Sequence, residues 1–165
     1  MNAFSDTAAL ARVTAALSHP GLVRIISDID DNGPLQRHLL SRTFTGLSRQ
    51  QLRHATASGR ALRLLRAGTH AGNPALVLTP AGKELADVYD TAARWARTHH
   101  YPCDVSDFVA RVQATLTLLG EYDGTAGDEA PHAPQAALVS WIRDHAAAFG
   151  HPLAGTSPDE MELAA

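Results

Sequence analysis

Arg49, Arg53 and Arg60 are spaced four and seven residues apart, so on a helix their guanidinium groups fall on one face. Such a row suits paired hydrogen bonds to phosphate oxygens or to the O6/N7 edge of guanine. Gln50 beside them has the amide geometry for adenine N6/N7, and His54 can meet a base edge or a phosphate. All five lie in a stretch of 52 residues, Asn32 to Lys83, that contains no Asp or Glu. It carries Arg37, Arg42, Arg49, Arg53, Arg60, Arg63, Arg66 and Lys83, a local charge of +8 in a chain of net charge −3, which leaves −11 elsewhere. Asp28, Asp30 and Asp31 precede the stretch, and Glu84, Asp87 and Asp90 follow it. Segregation of this kind is the footprint of a polyanion-binding face. The competing arrangement is a basic surface neutralised by ion pairs to the acidic flanks. Arg outnumbers Lys thirteen to one, a ratio that GC-rich coding explains; the location of the arginines is informative, their identity is not.

Other reactive groups point less far. His99-His100-x-x-Cys103 has a spacing that suits two zinc ligands, but there is no second cysteine and further ligands would have to come from distant segments. The expectation is no metal, with His99 and His100 as polar residues at a helix end, where a protonated imidazole suits the dipole. A Gly-rich phosphate loop, a framed pair of carboxylates and a serine elbow are all lacking. The chain is therefore expected to be non-catalytic, with no catalytic residues and no cofactor.

The elements that must carry the basic face follow from composition and pattern. At 165 residues and 45 % hydrophobic content the chain can bury one core. Aromatics are 5 % and the apolar residues are mostly Ala, Leu and Val, which favours helix. A lone cysteine excludes an intramolecular disulfide and fits a reducing compartment. With no apolar leader at Met1 to Ser18 and no window of about 18 apolar residues, the expectation is a cytoplasmic protein without membrane contact.

Helices are expected at Thr7–Ser18, Leu22–Asp31 and Leu35–Thr43, separated by His19-Pro20-Gly21 and Asn32-Gly33-Pro34. A fourth runs from Ser48 to about Ser58, opened by a capping box of Ser48 and Gln51, with Leu52, Ala55, Gly59 and Leu62 inward. An apolar strand at Leu62–Arg66, a loose tip over Ala67–Pro74 and a return strand at Ala75–Leu78 form a hairpin. Thr79-Pro80 starts a long helix to about Thr98. Asp104 is expected to cap a helix whose stripe is Val105, Phe108, Val109, Val112, Leu116 and Leu119. An acidic loop from Glu121 leads to a last helix, Pro134–Phe149, presenting Leu138, Trp141, Ile142, His145 and Phe149.

Three helices, a capped basic helix, a hairpin and a long helix make the order of a winged helix-turn-helix. "ALSHPGLVRIISDI" (Ala16 to Ile29) resembles the opening of ArsR-type repressors, and "LTPAGKELADVYDTAARW" (Leu78 to Trp95) is similar to the wing end and following helix of HxlR- and MarR-type regulators. The resemblance covers about half the chain, Ala16 to Trp95. It departs from those families at Ala55, Thr56 and Gly59, where they place large apolar residues, and in the length beyond Tyr101. It also brings a thiol-sensing role for Cys103 into view, since HxlR-type regulators include such sensors; a half-buried structural cysteine is the plainer expectation.

The fold class expected is thus mainly α, a winged helix-turn-helix (three-helix core plus two-stranded wing) with extra C-terminal helices. Its regions would be 1–99 for DNA binding, 100–150 for a helical dimerisation or effector region, and 151–165 for a flexible tail. The function expected is a DNA-binding transcriptional regulator acting as a homodimer on a palindromic operator in double-stranded DNA. The alternative is a winged protein that has lost tight DNA binding and serves as a small-molecule or protein-binding module. The expected contacts are Arg49 and Arg53 to guanine, Gln50 to adenine, and His54 to a base edge or phosphate, on the helix capped by Ser48. Arg37, Arg42, Arg60 and the wing tip from His70 to Asn73 would hold phosphates or the minor groove. A small-molecule effector would bind near Tyr89 and Trp95, where helices meet.

Overall fold

The computed structural model describes residues 7–122, 127 and 129–145. It is mainly helical, with one small antiparallel sheet. Helix α1 (Thr7–Leu17) leads into α2 (Pro20–Asn32). The His19-Pro20-Gly21 break is itself the start of α2: Pro20 occupies the first turn, and the Gly21 N–H donates to His19 Nδ1 at 3.1 Å. Leu22, Val23, Ile25, Ile26 and Ile29 then enter the core, and α2 closes where the Gly33 N–H meets the Ile29 carbonyl at 2.8 Å.

The expected third helix is three pieces. Leu35–Gln36 forms strand β1, Arg37–Leu39 a 3₁₀ turn, and Leu40–Thr43 the short helix α3. Pairing of Leu35 with Leu76 and of Gln36 with Ala75 pulls the first two residues out of helix. Phe44 is buried after α3.

Helix α4 (Arg49–Ala61) opens with the expected capping box, the Ser48 N–H donating to Gln51 Oε1 at 2.8 Å and the Gln51 N–H to Ser48 Oγ at 3.1 Å. It runs a turn past Ser58. Gly59 lies inside it, where an added Cβ would meet Leu65 Cδ1 at 2.5 Å; the glycine lets β2 pack against the helix.

Strands β2 (Leu65–His70) and β3 (Asn73–Leu78) pair along their full lengths, giving the sheet order β1-β3-β2. The tip expected to be loose is a two-residue turn, with Ala71 at φ 50° and Gly72 at φ 80°. Positive φ at both positions matches the twist of the strands and holds them in register.

Helix α5 (Pro80–Thr98) has the expected bounds. Thr79 Oγ1 accepts from the Gly82 N–H at 3.1 Å and donates to the Arg63 carbonyl at 2.6 Å, tying the helix start to the approach to β2. A Cβ at Gly82 would collide with the Leu64 carbonyl oxygen. In mid-helix Tyr89 is fully buried and its hydroxyl donates to the Leu17 carbonyl at 2.6 Å.

Helix α6 (Phe108–Glu121) is capped by Asp107, which accepts from the Ala110 N–H at 2.8 Å, and not by Asp104. A turn from Cys103 to Ser106 precedes it, and Val105, expected in the stripe, is 91 % exposed. Val112, Leu116 and Leu119 are buried as expected. Helix α7 (His132–His145) begins two residues before Pro134; Phe149, expected on its face, lies outside the described residues, as does the 151–165 tail.

Leu138, Trp141 and Ile142 of α7 are buried, and the Trp141 indole N–H donates to the Ala81 carbonyl at 2.9 Å. This apolar face, which lies in the region expected to serve dimerisation or an effector, thus covers α5 of its own chain. α6 packs on α1 and α5, and one hydrophobic cluster runs from Leu17 to Ile142. Regions 1–99 and 100–150 share that core.

Candidate nucleic-acid interface

Helix α4 has three distinct faces, set by its 100° step per residue. Leu52, Ala55 and Gly59 are buried and define the inward side. Arg49, Arg53 and Arg60 fall within about 40° of one another, as their spacing predicts, but this stripe is a flank about a quarter-turn from the inward side. Gln50 and Ala57 are the outermost residues. His54 lies toward the opposite flank, beside the start of α2.

The arginine flank faces α3. Between them lies an open depression of about 460 Å³, lined by Arg37, Leu40 and Ser41 on one side and by Arg49, Leu52, Arg53, Thr56, Ala57 and Arg60 on the other. Four guanidinium-bearing residues from two elements therefore meet around one concavity whose floor includes aliphatic carbon. All four are exposed. Among the described residues the ion pairs are His100–Asp104 and His145–Glu84, so none of these arginines is neutralised by an acidic partner. Of the two arrangements open to the sequence, the salt-bridged one is not what the arginines adopt.

The acids gather elsewhere. Burial, and then the charges of Asp87 and Asp31, push the Asp30 carboxyl above its ordinary range. Burial and then Asp30, Asp31 and Asp87 do the same to Asp90. Lys83 acts on Asp30 in the opposite sense, so this last cation of the acid-free stretch belongs to the acidic side. Charge segregated along the chain becomes charge segregated in space.

The remaining sequence candidates are spread around this face. Arg42 is exposed on α3, Ser48 is committed to the α4 cap, and His70 and Asn73 are exposed on either side of the hairpin turn. The His70 carbonyl accepts from Gln36 Nε2 at 3.1 Å, tying the hairpin tip to β1. One residue the sequence reading passed over is His19. Its ring lies 4.9 Å from that of His54, and burial, then the His54 charge, lower its pKa. A His-Pro-Gly start to a helix is the only local signal for it.

Tyr89 is enclosed by the core, while Trp95 stacks on the His99 ring at 4.5 Å. His99 Nδ1 contacts the Trp95 carbonyl at 2.8 Å, His100 pairs with Asp104 at 2.7 Å, and Cys103 Sγ meets Ser106 Oγ at 3.1 Å. These three groups thus have separate partners. Among the described residues no cluster of His, Cys, Asp or Glu is arranged to hold a metal ion, and no helix is long and apolar enough to cross a membrane.

Comparison of the chain with protein families, with curated proteins and with solved structures gives no significant match.

Proposed function

We propose that the chain is a DNA-binding transcriptional regulator of winged helix-turn-helix type, with α4 entering the major groove and the β2–β3 hairpin as the wing. The observation that carries this reading is the set of four unpaired arginines, Arg37, Arg49, Arg53 and Arg60, converging from two elements. The element order is compatible with a winged unit and supports the reading: α2, a short β1, α3, the capped α4, a tight hairpin and then α5.

The three faces of α4 divide the work. Gln50 and Ala57 stand outermost and meet base edges, with Arg53 and His54 at the two shoulders. Arg49 and Arg60 on the flank, with Arg37 and Arg42, take phosphates of the adjoining strand. His70 and Asn73 reach the next groove or its backbone. This assigns Arg49 to phosphate where the spacing alone suggested guanine.

A single unit of this kind reads only a few base pairs, so two copies are expected to pair on a palindrome. The buried faces of α6 and α7 are spent within the chain, so a dimer must use other surface. Selection from a random pool of duplexes, followed by anisotropy titration of the enriched sequence, tests the reading. An enriched motif bound more tightly than random duplex supports it; no retained DNA at low salt refutes it.

A further inference from the structure

We infer that the depression between α3 and α4 is a seat for a phosphorylated small molecule, and that filling it competes with DNA. The competition rests on the DNA-binding reading above; the seat itself does not. The depression, about 460 Å³, falls within the span of small-ligand sites. Arg37 comes from the 3₁₀ turn before α3, and Arg49, Arg53 and Arg60 come from one stripe of α4. Leu40 and Leu52 line the depression with them.

Three features select the ligand. First, guanidinium groups are planar forks that take phosphoryl oxygens two at a time, and those approaching from opposite walls can grip one group from two sides. Second, the charge is high and unbalanced: four cations line the depression and no carboxylate does. A monocarboxylate leaves most of that charge uncompensated, whereas a diphosphate group offsets most of it. Third, Leu40 and Leu52 also line the depression, so a ligand held by its phosphates, which bind as the inorganic group does, can carry an apolar body beside them. Duplex DNA does not use the depression in the same way. Its backbone can reach the rim, where Arg49 and Arg60 stand, while Gln50 and Ala57 project further out and meet the duplex first. A small anion held inside would draw the same arginines away from the strand.

The experiment uses the full chain, with inorganic pyrophosphate as the probe and ionic strength held constant with sodium chloride. Calorimetry without DNA is expected to show saturable binding at one site per chain. Arg37→Ala and Arg60→Ala are each expected to weaken it about tenfold, while Arg143→Ala on α7 leaves it unchanged. Both targeted arginines are exposed and without acidic partners, so circular dichroism should show folded variants. Heats no larger than those of sulfate at equal ionic strength, or equal losses in all three variants, overturn the seat. In a second arm, pyrophosphate is titrated into the protein–DNA complex. Displacement at constant ionic strength supports the competition, and retained DNA at saturating pyrophosphate overturns it. Saturable pyrophosphate binding by a chain that binds no duplex would keep the seat and remove the DNA-binding reading, so the two failures are distinguishable.

Discussion

The rings of His19 and His54 lie 4.9 Å apart and tilted by 51°, joining the first residue of one helix's cap to the outer surface of another. His19 Nδ1 accepts the Gly21 N–H, so the cap requires that nitrogen to be unprotonated. Burial and the neighbouring His54 both lower the His19 pKa, and the helix N-terminus is itself unfavourable for a cation. The unfolded chain therefore binds a proton at this position more readily than the folded one. By linkage, this group's stability contribution is present above the ordinary histidine pKa of about 6.5 and is lost as pH falls below it. The melting temperature should decline as pH falls from 7 through 6, and His19→Ser, which caps without titrating, should flatten that decline. Parallel curves for the two proteins would remove His19 as the cause.

Asp90 gives the opposite sign. Its carboxyl is raised by burial and then by Asp30, Asp31 and Asp87, so its ionised form at neutral pH works against the fold. Its contribution declines as pH rises through the carboxylate range and stays unfavourable above it. Asp90→Asn should stabilise the protein at pH 7 by a solvent-screened amount, at most about 1 kcal/mol. The gain should vanish near pH 3, where the native side chain is protonated; urea unfolding at the two pH values measures it.

Gly82→Ala should destabilise by about 1–3 kcal/mol, because the added methyl meets the backbone carbonyl of Leu64 and no side chain can turn aside to admit it. The measurement is a chemical denaturation curve. An unchanged midpoint would show that α5 can lift off the approach to β2 at little cost.

Trp141→Ala should cost about 3–5 kcal/mol, since the indole is buried against α5 and bonded to Ala81. Its effect should appear in unfolding and not in molecular mass, because this contact lies within one chain. A folded variant of unchanged stability with a halved mass by light scattering would return α7 to the role of dimer interface.

Much of this architecture is legible from local signals. The Ser48–Gln51 box and the Thr79-Pro80 start each place a helix N-terminus, because a cap is a bond between residues three apart. Strand β1 is not legible: two residues have no periodicity, and the partners Leu76 and Ala75 lie forty residues on. Asp104 and Asp107 are equally good caps in sequence, and only the Cys103–Ser106 turn decides between them. The shared face of Arg49, Arg53 and Arg60 can be read from spacing, but that it is a flank facing α3 across an open depression depends on tertiary packing. The same holds for His19 and His54, and for the apolar face of α7, whose buried partner is set by packing rather than by its pattern.

The faces of α4 predict two classes of substitution in DNA binding. Gln50→Ala and Arg53→Ala should each relax preference at one position of a half-site, at about 1–3 kcal/mol. Arg49→Ala should weaken specific and random duplexes alike. Binding of each variant to the enriched sequence and its single-base mismatches separates the classes; a base-specific loss in Arg49→Ala would turn α4 by half a face in the groove.

The central claim is met most directly by the salt dependence of duplex binding. Log K for the full chain, measured by anisotropy between about 50 and 200 mM salt, should fall linearly with log[salt] at about −0.9 for each phosphate engaged. With Arg37, Arg42, Arg49 and Arg60 each engaging a phosphate, the slope should be near −3 to −4 per chain, and Arg60→Ala should reduce its size by about 1. A slope near zero, or no duplex bound at the lowest salt, would contradict the assignment of this face to DNA.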